Sequence, residues 1–352
     1  MDRFVFEAQI PRVIFGIDSL KSVEVEVVAL GCERALVLST PHQTADAERV
    51  AQLLGRRAVG LYARAEMHVP VDLARAARTY ASDLRADCLV AIGGGSTIGL
   101  AKAIALESAL PIVAIPTTYA GSEMTPIYGL TEGDVKKTGR DPKVVPRTVI
   151  YDPGLTATLP LKLTASSCLN AIAHAAESLY AHDGNPIIAM MAEDGIRASR
   201  EALNRMMEDP DDLEIRAKAQ YGSWLCGIAL GSVSMGLHHK LCHVLGGMFN
   251  LPHSELHSVV LPYSLAYNLD AAPAAMHRIA RALAVSHVPS GLFDLLKKVG
   301  LPYSLKAIGM PEDGIRRAVD AVTASPYPNP RPFEPEALLR LVTQAYHGER
   351  PV

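Results

Sequence analysis

The feature that most constrains this fold is an alternation of short apolar runs with longer helical segments, from the start of the chain to about Asp152. The runs are rich in Val, Ile and Leu, which predicts buried strands, and the segments between them have helical periodicity. This alternation predicts a parallel sheet that helices cover on both faces. The five predicted strands are ERALVLST, AVGLYA, DCLVAIGGG, LPIVAIP and RTVIYDP.

The composition and pattern of the sequence change after Asp152-Pro153. The segments that follow are rich in Ala, Leu and Met and are separated by prolines. Segments such as TASSCLNAIAHAAESLYA and EPEALLRLVTQAYHG fit amphipathic or buried helices. We therefore predict an α/β N-terminal dinucleotide-binding domain over residues 1–155 and an all-α C-terminal domain with the substrate site over 156–352. A hairpin is also predicted from Ile127 to Thr138, with its turn at Gly133.

The net charge of the 352-residue chain is −3, which gives no general attraction to nucleic acid or to an anionic membrane. No secretory signal and no membrane-spanning run is evident in the sequence. The five cysteines form no C-x-x-C pair, which is typical of reduced thiols in the cytoplasm.

A glycine-rich turn, Gly93-Gly94-Gly95-Ser96, follows the strand DCLVAI and precedes a helical segment. Glycines at such a turn let backbone N–H groups approach a pyrophosphate, which the helix dipole also stabilises. The next strand ends in Thr117 and Thr118, whose hydroxyls reach the same edge of the sheet. The sequence therefore predicts a dinucleotide site at this edge.

The first strand-to-helix turn contributes Ser39 and Thr40 to the predicted site, where the adenosine half of the cofactor would lie. It offers no carboxylate that would bind a ribose 2′-hydroxyl or repel a 2′-phosphate. Both NADH and NADPH are therefore compatible cofactors.

Histidines are concentrated in the C-terminal half. His239 and His243 are four residues apart, on one face of a predicted helix, and His253 follows ten residues later. His174 lies one turn after Asn170 on another helix. This spacing fits either metal ligands or imidazoles that share a buried polar cavity.

The sequence resembles the iron-containing (group III) alcohol dehydrogenase superfamily, with a dehydroquinate synthase-like fold, and within it the maleylacetate reductase family. The resemblance covers nearly the whole chain. The motifs NAIAHA and GLHHKLCHVLGG are similar to those of the maleylacetate reductase branch of this superfamily. The motifs that carry it are VIFGIDSL, AIGGGSTIGLAKAIAL, PTTYAGSEMTPIYGLTEG, LNAIAHAAESLYA, GLHHKLCHVLGG, LPHSELHSVVLP and NPRP.

The resemblance implies roles for the residues of the nucleotide domain. It assigns pyrophosphate binding to Gly94, Gly95 and Ser96, contacts on the nicotinamide side to Thr117 and Thr118, and ribose contact to Lys136 or Lys137. In metal-dependent relatives an aspartate and three histidines bind iron or zinc, and the matching positions here are Asn170, His174, His239 and His253. Because a neutral amide replaces the only anionic ligand, we predict a former metal cage and no metal requirement.

The reaction implied by the resemblance is hydride addition to a carbon–carbon double bond conjugated to a ketone, in a small dicarboxylate. The charge then develops on the ketone oxygen as an enolate, which hydrogen-bond donors stabilise. We predict that His243 donates a hydrogen bond or a proton, and that His239, His253 and His174 are further donors. Lys240, Arg331 and Tyr119 are candidates for contact with the substrate carboxylates.

Three other functions are compatible with parts of the sequence. A metal-dependent alcohol or polyol dehydrogenase would use Asn170 as a neutral oxygen ligand. A lyase or cyclising synthase on the dehydroquinate synthase scaffold would consume no net NADH. A protein that binds NAD without catalysis would not need the histidines. Predicted edge strands near the N-terminus and the family resemblance indicate a homodimer.

Overall fold

The computed structural model describes residues 3–7, 9–133 and 135–352, without the side chains of Val135 and Lys136. The chain forms two compact units. The α/β unit comprises residues 9–159 together with Asp211–Gln220, and the helical unit comprises residues 3–7, Pro160–Pro210 and Tyr221–Val352.

A six-stranded parallel sheet forms the centre of the α/β unit, with the strand order β1-β8-β5-β4-β2-β3. Its strands are β1 (Arg12–Phe15), β2 (Ala35–Leu38), β3 (Ala58–Tyr62), β4 (Cys88–Gly93), β5 (Ile112–Pro116) and β8 (Thr148–Tyr151). The register aligns Val90 of β4 with Val37 of β2 and Val113 of β5. All residues of β2, β4, β5 and β8 are buried, as expected for parallel strands with both faces covered.

Helices separate these strands along the chain. They are α1 (Val23–Ala29), α2 (Thr44–Leu54), α3 (Val71–Asp83) and α4 (Gly95–Ser108). Leu20, Val27 and Val50 pack with the apolar residues of β2, β4 and β5 in one core. An antiparallel hairpin of β6 (Ile127–Glu132) and β7 (Val135–Arg140) confirms the predicted hairpin, and its turn residue Gly133 has φ +59°.

The helical unit is built from long helices that begin at proline or polar caps. Asn185, for example, caps α6 by accepting a hydrogen bond from the backbone N–H of Ile188, and Pro186 occupies the first turn. Leu241, Leu245, Val259 and other buried side chains form its core. The helices are α5 (Leu161–Ser178), α6 (Pro186–Met206), α7 (Leu213–Ser232), α8 (Leu237–Phe249), α9 (His253–Asn268), α10 (Pro273–Leu283), α11 (Val288–Lys298), α12 (Gly314–Ala324) and α13 (Pro335–His347). The part of α7 up to Gln220 belongs to the α/β unit.

The predicted fold class, an α/β nucleotide-binding half followed by an all-helical half, is confirmed. Strand β1, which pairs with β8 at the edge of the sheet, is not one of the five strands predicted by segment, although edge strands near the N-terminus were predicted. The predicted domain division at 155/156 stays a prediction. The compact units divide instead after Leu159, and the α/β unit also includes Asp211–Gln220, where buried Arg216 donates to the carbonyl of Thr156. Within the described residues, the helices are all too short or too polar to span a bilayer.

Candidate active site

The glycine-rich turn lies where β4 meets α4. Gly93 has φ +152°, and a Cβ there would lie 2.4 Å from Thr97 Oγ1, so glycine is required. Gly94 precedes the first turn of α4, and Gly95 is exposed with no atom within 4 Å of the position that a Cβ would take. The open space beside Gly95 leaves the backbone at the start of α4 accessible to a ligand.

Two neighbouring strand ends adjoin this turn in the α/β unit. The N–H of Thr117, after β5, donates to the carbonyl of Gly93 over 3.2 Å. Gln43 Nε2 donates to Thr117 Oγ1 over 2.8 Å, and Thr40 Oγ1 donates to Gln43 Oε1 over 3.3 Å. Gln43 thus links the ends of β2 and β5 beside β4. Ser39 is buried, and its hydroxyl donates to the carbonyl of Thr40.

The loop that follows Thr118 is fastened to α4 by a buried lysine. Lys102 is fully buried, and its ammonium donates to the carbonyls of Ser122, Thr125 and Ile127 over 2.6 to 2.9 Å. Burial lowers the pKa of Lys102 to about 7. These bonds hold the loop between β5 and the hairpin against α4.

The two predicted ribose lysines lie on the hairpin. Lys137 is exposed, and its ammonium donates to Glu132 Oε2 over 2.7 Å. The side chain of Lys136 lies outside the described residues. The predicted ribose contact stays a prediction.

In the helical unit, one face of α5 carries Asn170, His174 and Glu177, at intervals of four and three residues. All three side chains are buried. The Glu177 carboxylate accepts hydrogen bonds from the backbone N–H groups of His238 (2.7 Å) and His239 (3.4 Å), in the first turn of α8, and from His239 Nδ1. A carboxylate at a helix N-terminus satisfies free backbone donors and is stabilised by the helix dipole.

A second chain of hydrogen bonds links α8 to α9. Ser264 donates its hydroxyl hydrogen to the carbonyl of Leu261 over 3.0 Å. Its oxygen is 3.1 Å from His238 Nδ1, and His238 Nε2 is 3.0 Å from Nδ1 of His257. All three of these polar side chains are buried.

These contacts belong to a histidine cluster, which we define as His174, His238, His239, His243, His253 and His257. His239 is central, with ring centroids 5.2 Å from His174, 5.1 Å from His257 and 6.0 Å from His243. Burial, followed by the neighbouring imidazoles, keeps the pKa values of His174, His238 and His257 well below the ordinary histidine value. These three rings are therefore neutral near pH 7.

Three ring nitrogens of the cluster are buried and lack a hydrogen-bond partner among the described residues: His174 Nδ1, His239 Nε2 and His257 Nε2. The Oδ1 atom of Asn170 is also buried and also lacks a hydrogen-bond partner among the described residues. Unpaired buried polar atoms are costly, and their concentration here indicates a place for a polar ligand.

A proline-rich loop adds a tyrosine to the edge of the cluster. Tyr327 places its hydroxyl 3.4 Å from His243 Nδ1, and the ammonium of Lys240 lies 5.2 Å from the centroid of its ring. Asn329 fixes this loop by accepting from the backbone N–H of Leu237, at the start of α8 (3.2 Å), and by exchanging hydrogen bonds with Asn268. Burial lowers the pKa of Lys240 and raises that of Tyr327.

Three other predicted site residues have different surroundings. His253, the first residue of α9, is exposed, and its ring centroid is 4.4 Å from that of His257. Arg331 pairs with Glu334 over 2.8 Å and lies over the ring of Tyr267 at 4.3 Å. Tyr119, in the α/β unit, is fully buried and donates to Thr156 Oγ1 over 2.9 Å. These contacts give Arg331 and Tyr119 structural partners, and their substrate contacts stay predictions.

The donor set fits a divalent metal ion. Ring nitrogens of His174, His239 and His257 lie within 4.8 Å of one another, and three imidazoles are suitable ligands for zinc or iron(II). The bond from His239 Nδ1 to Glu177 is the usual outer-sphere support for a histidine ligand. His257 joins this group in the structure, whereas the sequence predicted His253. The sequence pattern alone omitted Glu177, His238, His257 and Tyr327, although Glu177 continues the face of Asn170 and His174.

Comparison with known proteins assigns both halves of the chain to one family. The family model for iron-containing alcohol dehydrogenase matches residues 11–153, and the model for the C-terminal part of the Fe-containing alcohol dehydrogenase family matches residues 164–346. The chain belongs to the iron-containing alcohol dehydrogenase family. Membership agrees with the parallel sheet, the glycine-rich turn and the histidine-bearing helices.

Within this family the chain is similar to maleylacetate reductases. It is 65% identical to maleylacetate reductase from Burkholderia cepacia over 351 residues, covering all of both chains. It is 54% identical to the enzyme of the same name from Pseudomonas sp. (strain P51), covering 99% of each chain. The crystal structure of maleylacetate reductase from Agrobacterium tumefaciens matches with a TM-score of 0.96 and 48% identity over 100% of both chains.

Proposed function

We propose that this chain is an NAD(P)H-dependent maleylacetate reductase, which reduces the carbon–carbon double bond of maleylacetate to give 3-oxoadipate. The observation that carries this proposal is full-length identity of 65% to a maleylacetate reductase, together with an intact glycine-rich turn and histidine cluster. An oxidoreductase of this kind serves the degradation of aromatic compounds.

The α/β unit supplies the cofactor site. The backbone of Gly94, Gly95 and Ser96, at the N-terminus of α4, binds the pyrophosphate. The edge that carries Thr117 and Thr118 receives the nicotinamide side, and Ser39 and Thr40 lie toward the adenosine side. Gln43 is the residue that holds Thr40 and Thr117 in place. No carboxylate follows β2 in the turn from Ser39 to Gln43, which is compatible with both NADH and NADPH.

The helical unit supplies the groups that receive charge. Hydride from the nicotinamide C4 adds to the alkene carbon remote from the ketone, and the electron pair of the double bond moves toward the ketone oxygen. The resulting enolate takes a proton on the carbon next to the ketone. Tyr327 is kept in its phenol form by its raised pKa, so its O–H can donate to His243 Nδ1. We assign the bond in this direction, which puts the hydrogen of His243 on Nε2. His243 is then the proposed donor of a hydrogen bond to the enolate oxygen and of the proton to the carbon next to the ketone.

The two carboxylates of maleylacetate need cationic or hydrogen-bonding partners. Lys240 remains the best placed of the predicted candidates, because it belongs to the same helix as His239 and His243 and its ammonium lies at Tyr327. Arg331 is the second candidate. Its guanidinium pairs with the Glu334 carboxylate and could bind a substrate carboxylate in place of Glu334, because the two partners are chemically alike.

We propose that the reaction needs no metal ion. Asn170, buried beside His174 on α5, is a neutral group at the position where metal-dependent relatives have an anionic ligand, and a conjugated enolate is less basic than an alkoxide. If a divalent ion were bound by His174, His239 and His257, it would supply Lewis-acid polarisation of a carbonyl oxygen.

The deciding experiment is a steady-state assay of maleylacetate with NADH and with NADPH, before and after exhaustive chelation. We expect turnover of maleylacetate that chelation leaves essentially unchanged. Absence of maleylacetate-dependent NAD(P)H oxidation would refute the proposed substrate. Loss of activity with EDTA and its return with iron or zinc would refute the metal-free reaction while leaving the substrate proposal intact.

A second function, metal-dependent reduction of a simple ketone or aldehyde, is favoured by one observation, the three imidazoles within 4.8 Å. It predicts bound zinc or iron in protein that was purified without chelators, and oxidation of alcohols or polyols with NAD(P)⁺. Elemental analysis and an alcohol-oxidation assay distinguish it from the first proposal.

We also propose a cytoplasmic homodimer. All five cysteines are buried thiols, as expected in a reducing compartment. Strand β1 is the last strand on its side of the described sheet, and Val5 and Ile10 nearby in sequence are 81% and 44% exposed. An open edge and exposed apolar side chains are typical of a subunit interface. Light scattering should give twice the mass of one chain, and a monomer at assay concentration would contradict the proposal.

A further inference from the structure

The hydrogen bonds around the histidine cluster allow the tautomers of two rings to be assigned. A carboxylate has no hydrogen to donate, so the contact of Glu177 with His239 requires the hydrogen to be on His239 Nδ1. In the neutral ring, Nε2 is then an acceptor. This atom is buried and has no hydrogen-bond partner in the described part of the chain.

The same reasoning applies to His257 through a series of hydrogen bonds that begins at Ser264. We assign the single hydrogen of the Ser264 hydroxyl to the carbonyl of Leu261, which can only accept, so that Ser264 accepts from His238 Nδ1. His238 Nε2 is then an acceptor, and His257 must donate to it from Nδ1 over 3.0 Å. His257 Nε2 is left as a second buried acceptor without a partner among the described side chains.

We propose that Glu177 and the Ser264–His238 pair are positioning residues, which lock His239 and His257 in the tautomer with hydrogen on Nδ1 and the lone pair on Nε2. The assignment separates the roles in the cluster. With these tautomers, Nε2 of His239 and of His257 is an acceptor, whereas His243, which contacts a phenol instead of a carboxylate, is assigned as a donor. The sequence had treated His239 as a further donor beside His243.

Glu177 is packed tightly against the start of α8. A Cβ on Gly236 would lie 3.2 Å from Glu177 Oε1 and 3.0 Å from Asn329 Oδ1, so glycine lets the start of α8 approach both side chains. Glu177 uses both of its oxygens, one for the N–H of His238 and one for His239. A glutamine there would present an N–H₂ group to one of these donors, and the His239 ring would be free to exchange its tautomer.

The direct measurement is long-range ¹H–¹⁵N NMR of protein labelled with ¹⁵N in its imidazole rings, recorded at about pH 8.5, roughly two units above the ordinary histidine pKa. The signals are assigned with His239→Gln and His257→Gln. We expect Nε2 of both rings to have the shift of an unprotonated nitrogen in the wild-type protein. A hydrogen on Nε2 of His239 would overturn the role of Glu177, and one on Nε2 of His257 would overturn the Ser264–His238 chain.

Two variants then test the cause. In Glu177→Gln we expect a fraction of His239 to carry its hydrogen on Nε2, and kcat to fall about 10- to 100-fold, the effect expected when a hydrogen bond to a charged group is lost, with a smaller change in KM. Glu193→Gln is the matched control, because Glu193 forms ion pairs with Arg278 and Arg281, which are outside the histidine cluster. An unchanged His239 tautomer in folded Glu177→Gln would refute the proposal.

The kinetic part rests on the proposed function, whereas the tautomer part does not. If the wild-type protein failed to turn over maleylacetate, the proposed function would be wrong, and the NMR spectra would still decide the tautomers. If Glu177→Gln failed to fold, the wild-type spectrum would still support or overturn the assignment.

Discussion

The glycine-rich turn and the histidine cluster present two different ways of building a site. At the turn, the binding atoms belong to the backbone, and the conformation comes from neighbours along the chain: Gly93 adopts φ +152° and Gly95 leaves open space. In the cluster, side chains from α5, α8 and α9 meet, and hydrogen bonds between residues up to 84 positions apart set their orientation. The backbone site thus depends on the absence of side chains, and the cluster depends on their exact partners.

This difference has consequences for chemistry. Backbone N–H groups have a fixed donor character that no pH change alters, so the turn provides a constant site for an anion. An imidazole can donate or accept, and its partners decide which. In the proposed tautomers, the contacts with Glu177 and Tyr327 give His239 and His243 of one helix opposite roles.

The largest expected effect is on turnover, in His243→Ala. Loss of an acid–base or oxyanion group should lower kcat by about 100-fold or more. The free energy of unfolding should change little, because His243 is only half-buried. His277→Ala, at an exposed position of α10 outside the cluster, is the matched control and should retain wild-type kcat. Turnover by His243→Ala at the wild-type rate would remove His243 from the mechanism.

A smaller effect is expected at the turn, in Gly95→Ala. The added methyl group meets no protein atom within 4 Å but occupies the space beside the start of α4. We expect KM for NADH to rise about tenfold, equivalent to about 1.4 kcal/mol of binding free energy, with unchanged thermal unfolding.

Gly93→Ala is the comparison for that variant. Its Cβ would clash with Thr97 Oγ1, and its backbone would be strained, so we expect the free energy of unfolding to fall by about 1–3 kcal/mol. If Gly95→Ala bound NADH as tightly as the wild-type protein, the turn would not be the pyrophosphate site.

The smallest effect is expected in Tyr327→Phe, which removes a hydroxyl 3.4 Å from His243 Nδ1 and keeps the ring beside Lys240. The loss of one hydrogen bond, worth about 0.5–1.5 kcal/mol, should lower kcat about 2- to 12-fold. Tyr303→Phe, at an exposed position of the same unit, is the control. If Tyr327→Phe matched the wild-type kcat, the hydroxyl would have no part in setting the donor role of His243.

Much of the fold could be predicted because its signals are local. The five predicted strands and the hairpin follow from apolar runs and from Gly133, and the structure confirms them. The segment of β1 was not named because β1 is an edge strand in which none of the four residues is fully buried, so RVIF lacks the fully buried apolar character of β2 and β8. Asp211–Gln220 belongs to the α/β unit because of Arg216 and Gln220, whose bonds to Thr156 and Asp152 have no periodic signature.

The candidate site could be predicted only in part. Helical spacing brings Asn170 together with His174, and His239 with His243, because residues four apart share a helix face. The same rule would have added Glu177, but nothing in the sequence shows that its carboxylate caps another helix. His257 is four residues after His253, yet only the packing of α9 against α5 and α8 shows that His257 is buried and His253 exposed.

By itself, the sequence determined the alternating fold, the glycine turn, the set of histidines and the neutral residue Asn170 one turn before His174, since periodicity, glycine content and residue type are properties of the chain. The tertiary structure decided which ring nitrogens are donors and which are acceptors. An imidazole takes its tautomer from its hydrogen-bond partner, and the partners of His239, His243 and His257 are supplied by other parts of the fold.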